Sequence, residues 1–356
     1  LQDHIEYAWL YAAGSPLEAA CPSSLKGAWR DANKKMQAFM KSFSISKIDM
    51  SEVCLFDVIP EKFMAQFLDI KIKIIKNIFQ TVDKPKNYDH LLSTAKMIED
   101  IKYQKVNVDV SLARDESYKH KVRNFIENLK KTDRSVSYKL FGTKTGRLTT
   151  DKKSFPILTL DKELRKFVRP NNDLFVEIDF NAAELRTLFS LLGKEQPTED
   201  IHEWNMKNVF EMPITREQAK KRVFAWLYNP SSEDYLLDQT YDREFIKQKY
   251  WDGQRITTPF FREIESDEHH SVNYTLQSTA SDLFLEQASK IHKLLEFRNS
   301  YIAFLIHDSI ILDFKQEEKK ELKNIIETFQ DTRFGNYGVS VKVGKNFGDM
   351  REIKWK

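Results

Sequence analysis

The hydrophobic pattern changes period twice along this chain. Between about 61 and 80, Phe63, Phe67, Ile70, Ile74 and Ile78 recur at three- and four-residue steps, and Lys71, Lys73 and Lys76 take the other faces. That spacing predicts an amphipathic helix, closed by Lys84-Pro85-Lys86-Asn87. Helical patterns follow at about 88–103 and 115–131. From Arg134 the period drops to two. Residues 134–141 alternate like a strand, residues 142–147 turn, and the 174–180 segment places Leu174, Val176, Ile178 and Phe180 on one face with Phe175, Glu177 and Asp179 on the other. Helical patterns return at about 182–192, 200–210, 216–228 and 267–296. Residues 301–306 and 310–314 read as two apolar strands around His307-Asp308-Ser309, a charged helix is expected over roughly 315–330, and 339–343 closes with a strand. Residues 1–60 show only short mixed segments, broken at Gly14-Ser15-Pro16 and Pro22-Ser23-Ser24. Strands and helices in mixed order predict an α+β fold with a small sheet backed by helices.

At 356 residues the chain exceeds one compact core, so two or three lobes are expected. With 41% hydrophobic and 31% charged residues it folds rather than staying disordered. The net charge of +3 argues against a histone-like binder, but the distribution changes that picture. Residues 117–153 hold eleven basic side chains (Lys119, Lys121, Arg123, Lys130, Lys131, Arg134, Lys139, Lys144, Arg147, Lys152 and Lys153) against three acidic ones, so one segment can present a basic face to a polyanion. Two cysteines, Cys21 and Cys54, make no C-x-x-C pair, so neither a zinc site nor a disulfide framework is indicated, and two reduced, buried thiols are expected. No apolar run approaches the ~20 residues of a membrane helix, and no signal peptide is visible. The chain opens at Leu1 without Met, as a fragment or processed form would.

Five constellations carry candidate chemistry. Asp179 ends an apolar strand, where it can simply precede a helix capped by Asn181 and Glu184 as an Asn-x-x-Glu capping box. His307-Asp308-Ser309 sits between two apolar strands, where polar turn residues are common. Together the two aspartates mean more. If their strands are neighbours, two carboxylates converge, and such a pair repels unless cations neutralise it; two Mg²⁺ ions are the usual solution and suit phosphoryl transfer. The stripe Arg216, Lys220, Phe224, Tyr228 follows a Thr215-x-x-Gln218 capping box and ends at Pro230. It begins cationic and ends aromatic, and an Arg at a helix N-terminus opposes the macrodipole unless an anion is shared there. A nucleoside triphosphate fits that gradient better than a solvated face does. The turn containing Lys144, Thr145, Gly146 and Arg147 could be a solvated loop, or could place Lys144 on phosphate and Arg147 in a minor groove. Asn273 and Gln277 are an i, i+4 amide pair that alone reads as a solvated helix face.

Taken in order, these pieces resemble the polymerase domain of family A DNA polymerases, from about Arg134 to the C-terminus. Thr145-Gly-Arg-Leu-Thr149 resembles the family's T-G-R-L-[ST] motif, and the Ile178 to Arg186 segment resembles motif A. Asp200-Ile-His202 resembles the D-I-H before the fingers helix, and Arg216-x3-Lys220-x3-Phe224-x3-Tyr228 resembles motif B. Tyr274 to Asp282 resembles the Q-[GS]-T-A-x-D helix, His307-Asp308 resembles motif C, and Val343 to Phe347 resembles the closing G-x-N-W segment. Each motif alone is weak; seven in the right order make a strong resemblance.

The resemblance implies a right-hand architecture: an N-terminal region over 1–60, a thumb over 61–133, palm over 134–200 and 295–356, and fingers over 201–294. It implies that Asp179 and Asp308, with the backbone carbonyl of Phe180, hold two Mg²⁺ ions, Mn²⁺ being a substitute. It implies that Arg216, His202 and Lys220 hold dNTP phosphates, that Glu184 braced by Tyr228 excludes a 2′-hydroxyl, and that Phe224 disfavours dideoxynucleotides. Arg147, Gln277 and Asn273 would sit at the primer end, with Lys144, Thr145 and His307 also against DNA. Primer–template DNA and dNTPs are the implied partners, with a separate exonuclease or processivity factor besides, in the cytoplasm of a bacterial or phage-infected cell and without a membrane. Three departures stand out: Ser309 replaces the acid of H-D-E, Asn229-Pro230 follows Tyr228 where glycine is usual, and the fingers are short. The first 60 residues are too few for a proofreading exonuclease and hold no D-x-E cluster. Two other readings compete: a single-subunit RNA polymerase of related fold, and a catalytically silent DNA-binding relative favoured by Ser309.

Overall fold

The computed structural model describes residues 4–48, 50, 53–210, 213–229 and 231–355. The chain forms two compact units, residues 1–92 and 93–356. In the first, helices Lys26–Ile45 and Glu61–Thr81 pack together. Phe63, Ile74 and Ile78 of the predicted stripe are buried, and Phe63 joins Met36 and Phe43 in the core between the two helices. The Lys26–Ile45 helix lies inside the stretch expected to hold only short segments. Its buried positions, Trp29, Met36 and Phe43, recur every seven residues, and so narrow a stripe is easily missed. Cys21 is buried and Cys54 is exposed, both as free thiols. Cys54 immediately precedes the four-residue helix Leu55–Val58, none of whose residues is buried, so the expectation of a buried thiol fails there.

The second unit is α+β. Its centre is a five-stranded antiparallel sheet in the order Arg351–Glu352, Val339–Gly344, Leu174–Phe180, Ser309–Phe314, Tyr301–Ile306. Helix Glu268–Leu294 packs on Ala183–Leu191 and on Leu322–Gln330. Phe180 stacks on Phe329 with ring centroids 4.3 Å apart, which joins the central strand to that helical layer. A second core unites Leu188, Phe189, Ile201, Val223, Trp226 and Tyr241, and so fixes helices Ile201–Asn208 and Arg216–Tyr228 against Ala183–Leu191.

Several boundaries differ from expectation. The 115–131 helix is two helices, Val110–Asp115 and His120–Leu129; Asp109 caps the first, and backbone bonds from Ser117 and Lys119 form a turn between them. Only Tyr138–Lys139 of the 134–141 segment is strand, paired with Thr149–Thr150. Elsewhere its carbonyls are taken by loops: Arg134 accepts from Val106, and Ser135 accepts from Phe155. The 315–330 helix opens as a 3-10 turn, Gln316–Glu321, before Leu322–Gln330. Pro230, expected to end the fingers helix, lies outside the described residues. Among the described residues no helix is long and apolar enough to cross a membrane.

Candidate functional site

The site begins with strand register. The 174–180 strand runs antiparallel to Ser309–Phe314, with Asp179 directly opposite Ser309. Asp308 therefore follows in the adjoining turn, where His307 adopts a left-handed φ of 53°. The Phe180 amide donates to the Asp308 carbonyl at 3.3 Å and fastens that turn to the end of the central strand. Two half-buried carboxylates thus converge. Burial pushes Asp179 up to about 6, reinforced by Glu177 and Asp308 and opposed by Lys342. Burial also raises Asp308, against the pull of Arg147 and His307. Hard carboxylate oxygens whose charge is this poorly compensated suit a hard divalent cation. Because the Phe180 ring is committed to Phe329, what that residue can offer the pair is its main-chain carbonyl. Among the described residues no group of three or more His, Cys, Asp or Glu side chains is arranged to hold a metal. Ser309, the departure from H-D-E, is buried and spends its hydroxyl on the Ile306 carbonyl at 2.9 Å.

The carboxylate pair has a pH signature. Asp179 binds its proton more tightly when folded than when unfolded, so its contribution to stability is full below the unfolded value near 3.8 and is lost as pH rises through about 6. Asp179→Asn should therefore melt at a higher temperature than wild type at pH 7–8 in EDTA, and the difference should vanish near pH 4. Thermal melts across that range check it; a variant less stable than wild type at pH 7 contradicts it.

Glu184 lies beside this pair. The expected Asn181 capping box does not form: helix Ala183–Leu191 has Ala182 as its N-cap, in the left-handed region and without a side-chain cap bond. The buried Glu184 carboxylate instead accepts from the Tyr228 hydroxyl on one oxygen and from the Arg147 guanidinium on the other. Burial raises Glu184, while Tyr228 and Arg147 pull it down and Asp308 raises it further. Burial and Glu184 drive the Tyr228 phenol well above its ordinary range. Arg147, expected in a minor groove, is paired with Glu184 here, its side chain 44% exposed.

Arg147 is delivered by a turn clamped at two points. Thr145 donates to Gln277 at 2.8 Å, which ties the turn to the long helix. Gly146 has φ +79°, and a Cβ there would lie 2.6 Å from the Arg262 guanidinium. Arg262 forms a bidentate pair with Asp282 at 2.9 and 2.6 Å, and the Asp282 side chain is fully buried. Gly146→Ala should destabilise the protein by about 1–3 kcal/mol, since an alanine meets both the left-handed backbone and Arg262; urea denaturation measures it, and a neutral result would show that Arg262 yields freely. Lys144 is exposed on the same turn, and His307 is exposed at its own. Asn273 lines a cavity of about 780 Å³ with Asp238, Tyr241 and Arg243, and its Oδ1 is buried without a hydrogen-bond partner.

Helix Arg216–Tyr228 completes the site. The Thr215/Gln218 capping box forms as expected. Ala219, Val223, Trp226 and Leu227 face the core, which leaves Arg216, Lys220, Phe224 and Tyr228 less buried. The Phe224 and Tyr228 rings stack at 5.6 Å, and the Lys220 ammonium lies 5.8 Å from the Phe224 ring centre. His202 meets Phe224 edge-on at 5.7 Å. Burial drives His202 down to about 4 against the pull of Asp200, so the ring is neutral at pH 7, and its Nδ1 has no hydrogen-bond partner. The anion expected beside Arg216 is internal: Arg216 donates to both Asp200 oxygens, at 3.1 and 2.7 Å. All eleven basic side chains of 117–153 are exposed, and Lys119, Lys121 and Lys139 pair with nearby acids.

Sequence reasoning gave no role to Arg262, Asp282 or Arg186. An aspartate on the apolar side of the long helix was the available signal, because a buried carboxylate demands a partner. Nothing in the sequence marked Arg262 or Arg186 as buried.

No protein-family model matches the chain. It is similar to DNA polymerase I of Borreliella burgdorferi, 21% identical over 288 residues, covering 64% of this chain and 31% of that protein. It is 24% identical over 257 residues to the thermostable DNA polymerase I of Thermus aquaticus, covering 58% and 30%. DNA polymerase I of Aquifex aeolicus is 22% identical over 374 aligned positions, covering 92% and 62%. The chain thus spans about a third of the length of the first two relatives and under two thirds of the third.

Proposed function

We propose that this chain is a template-directed DNA polymerase domain that adds dNTPs to a primer 3′-hydroxyl. One observation carries the reading: Asp179, Asp308, Glu184, Tyr228 and Arg147, drawn from four separate stretches of sequence, form one electrostatically coupled group beside a helix whose stripe runs from cation to aromatic. The similarity to DNA polymerase I supports it. Residues 134–200 and 295–356 act as palm, 201–294 as fingers and 61–133 as thumb.

Asp179, Asp308 and the Phe180 carbonyl would hold two Mg²⁺ ions, or Mn²⁺ in their place. Those ions supply activation of the primer hydroxyl and neutralisation of the leaving pyrophosphate. Arg216, Lys220 and His202 take the triphosphate, Phe224 and Tyr228 the sugar and base. His202 enters neutral, so it donates a hydrogen bond without adding charge. Glu184, pinned by Tyr228, fills the place of a ribose 2′-hydroxyl. Arg147 has to leave Glu184 to reach the minor groove, where Gln277, Asn273 and Thr145 are its neighbours; Lys144 and His307 meet the backbone. The exposed basic face of 117–153 contributes sequence-independent affinity for the duplex.

Primer extension with dNTPs and rNTPs tests this. Wild type is expected to prefer dNTPs, and Glu184→Ala should narrow the preference by on the order of tenfold or more. Equal use of rNTPs by wild type would favour the RNA polymerase reading instead.

A further inference from the structure

We propose that Asp200 is a built-in stand-in for the nucleotide's phosphates: its carboxylate occupies Arg216 when no triphosphate is bound, and so sets how tightly the site takes one. The proposal rests on the reading of Arg216 as a phosphate ligand. An arginine in the first turn of a helix faces the positive end of the macrodipole and is disfavoured without an anion. Asp200 supplies that anion in the bidentate geometry a guanidinium prefers for carboxylate or phosphate. The same pair cannot serve both partners at once.

The carboxylate is anchored independently of Arg216. Asp200 Oδ1 also accepts from the His202 and Glu203 amides at 3.0 and 3.1 Å, capping the Ile201–Asn208 helix. The segment before it is held by Arg186, which is 1% exposed and donates to the Asn181, Pro197 and Glu199 carbonyls at 3.0, 2.9 and 2.9 Å. Asp200 is therefore the fixed post, and Arg216, with its side chain 42% exposed, is the group that can swing away. When it does, Asp200 keeps its two amide donors, and no buried charge is stranded. A triphosphate has to outcompete a carboxylate that is already aligned, and that carboxylate also repels it.

Asp200→Asn isolates this role, because an asparagine oxygen still caps the helix while the competing charge is gone. The probe is inorganic tripolyphosphate, titrated calorimetrically into the whole chain without metal and at fixed ionic strength. Asp200→Asn should bind about five- to tenfold tighter than wild type, the range expected for removing one part-exposed bidentate competitor. Glu217→Gln, which removes a neighbouring charge 3.4 Å from Arg216 without touching the cap, should stay within about twofold of wild type. In an Arg216→Ala background the Asp200→Asn gain should disappear. Unchanged or weaker binding by Asp200→Asn, or the same gain without Arg216, overturns the proposal. If Arg216→Ala binds tripolyphosphate as wild type does, the phosphate role of Arg216 fails, and this inference fails with it; that pattern is distinct from a wild type that needs Arg216 but gains nothing from Asp200→Asn.

Discussion

Asp179→Ala and Asp308→Ala should each lower primer extension by at least about a thousandfold while leaving duplex affinity within about twofold of wild type. The two effects separate because they rest on different residues. On the proposed function, extension depends on the two carboxylates that the strand register brings together, Asp179 opposite Ser309 with Asp308 in the adjoining turn. In the proposed site either alanine removes one of two side-chain donors, and among the described residues no group of three or more His, Cys, Asp or Glu side chains is arranged to hold a metal in their place. On the proposed reading, duplex affinity rests on the exposed cations of the 117–153 segment, of which Arg147 is coupled to Asp308. Folding should not suffer, because removing either half-buried carboxylate relieves the burial cost that raises it, and loss of Asp308 also relieves its repulsion of Asp179. Single-turnover extension and a gel-shift titration on the same preparations read the two quantities. Substantial extension by either variant would remove that residue from the proposed metal site.

Asp282→Ala should destabilise the protein by about 3–5 kcal/mol, the usual cost of stranding one partner of a buried ion pair. The Arg262 side chain is 10% exposed, the Asp282 side chain has no exposure, and their bidentate contact sits directly beneath Gly146. Without the carboxylate, the guanidinium must stay buried unpaired or push out through the turn that delivers Arg147. Replacing both partners with apolar residues should recover most of the loss, since an ion pair in a low-dielectric interior contributes little over a hydrophobic isostere. Chemical denaturation of the single and double variants measures this. A single-variant loss below about 1 kcal/mol would mean that water or another donor reaches Arg262 readily.

What the sequence shows of this molecule follows from the range of each interaction. Periodicity located the 174–180 strand, the 216–228 helix and the long helix near 267–296, because each carries its signal within one element. The carboxylate pair was legible for the same reason: an alternating apolar strand that stops on Asp179 and a polar turn at His307-Asp308 stand out locally, although their adjacency required the register. The capping box at Asn181 was also a local inference, and it failed because Glu184 found stronger partners, Tyr228 and Arg147, 44 and 37 residues away. The Arg216 helix asked for an anion, but only the fold shows that Asp200, 16 residues earlier, provides it. The Lys26–Ile45 helix escaped notice although its pattern is amphipathic; its buried side chains, Trp29, Met36 and Phe43, come only every seventh residue.

The central claim is that these residues copy a template into DNA. The most direct measurement is single-nucleotide incorporation by the purified chain on four primer–templates that differ only in the templating base, each offered every dNTP separately with Mg²⁺. The expected result is extension by one nucleotide only with the complementary dNTP on each template, lost on chelation of the metal. No extension on any template, or extension that ignores the templating base, would contradict the account.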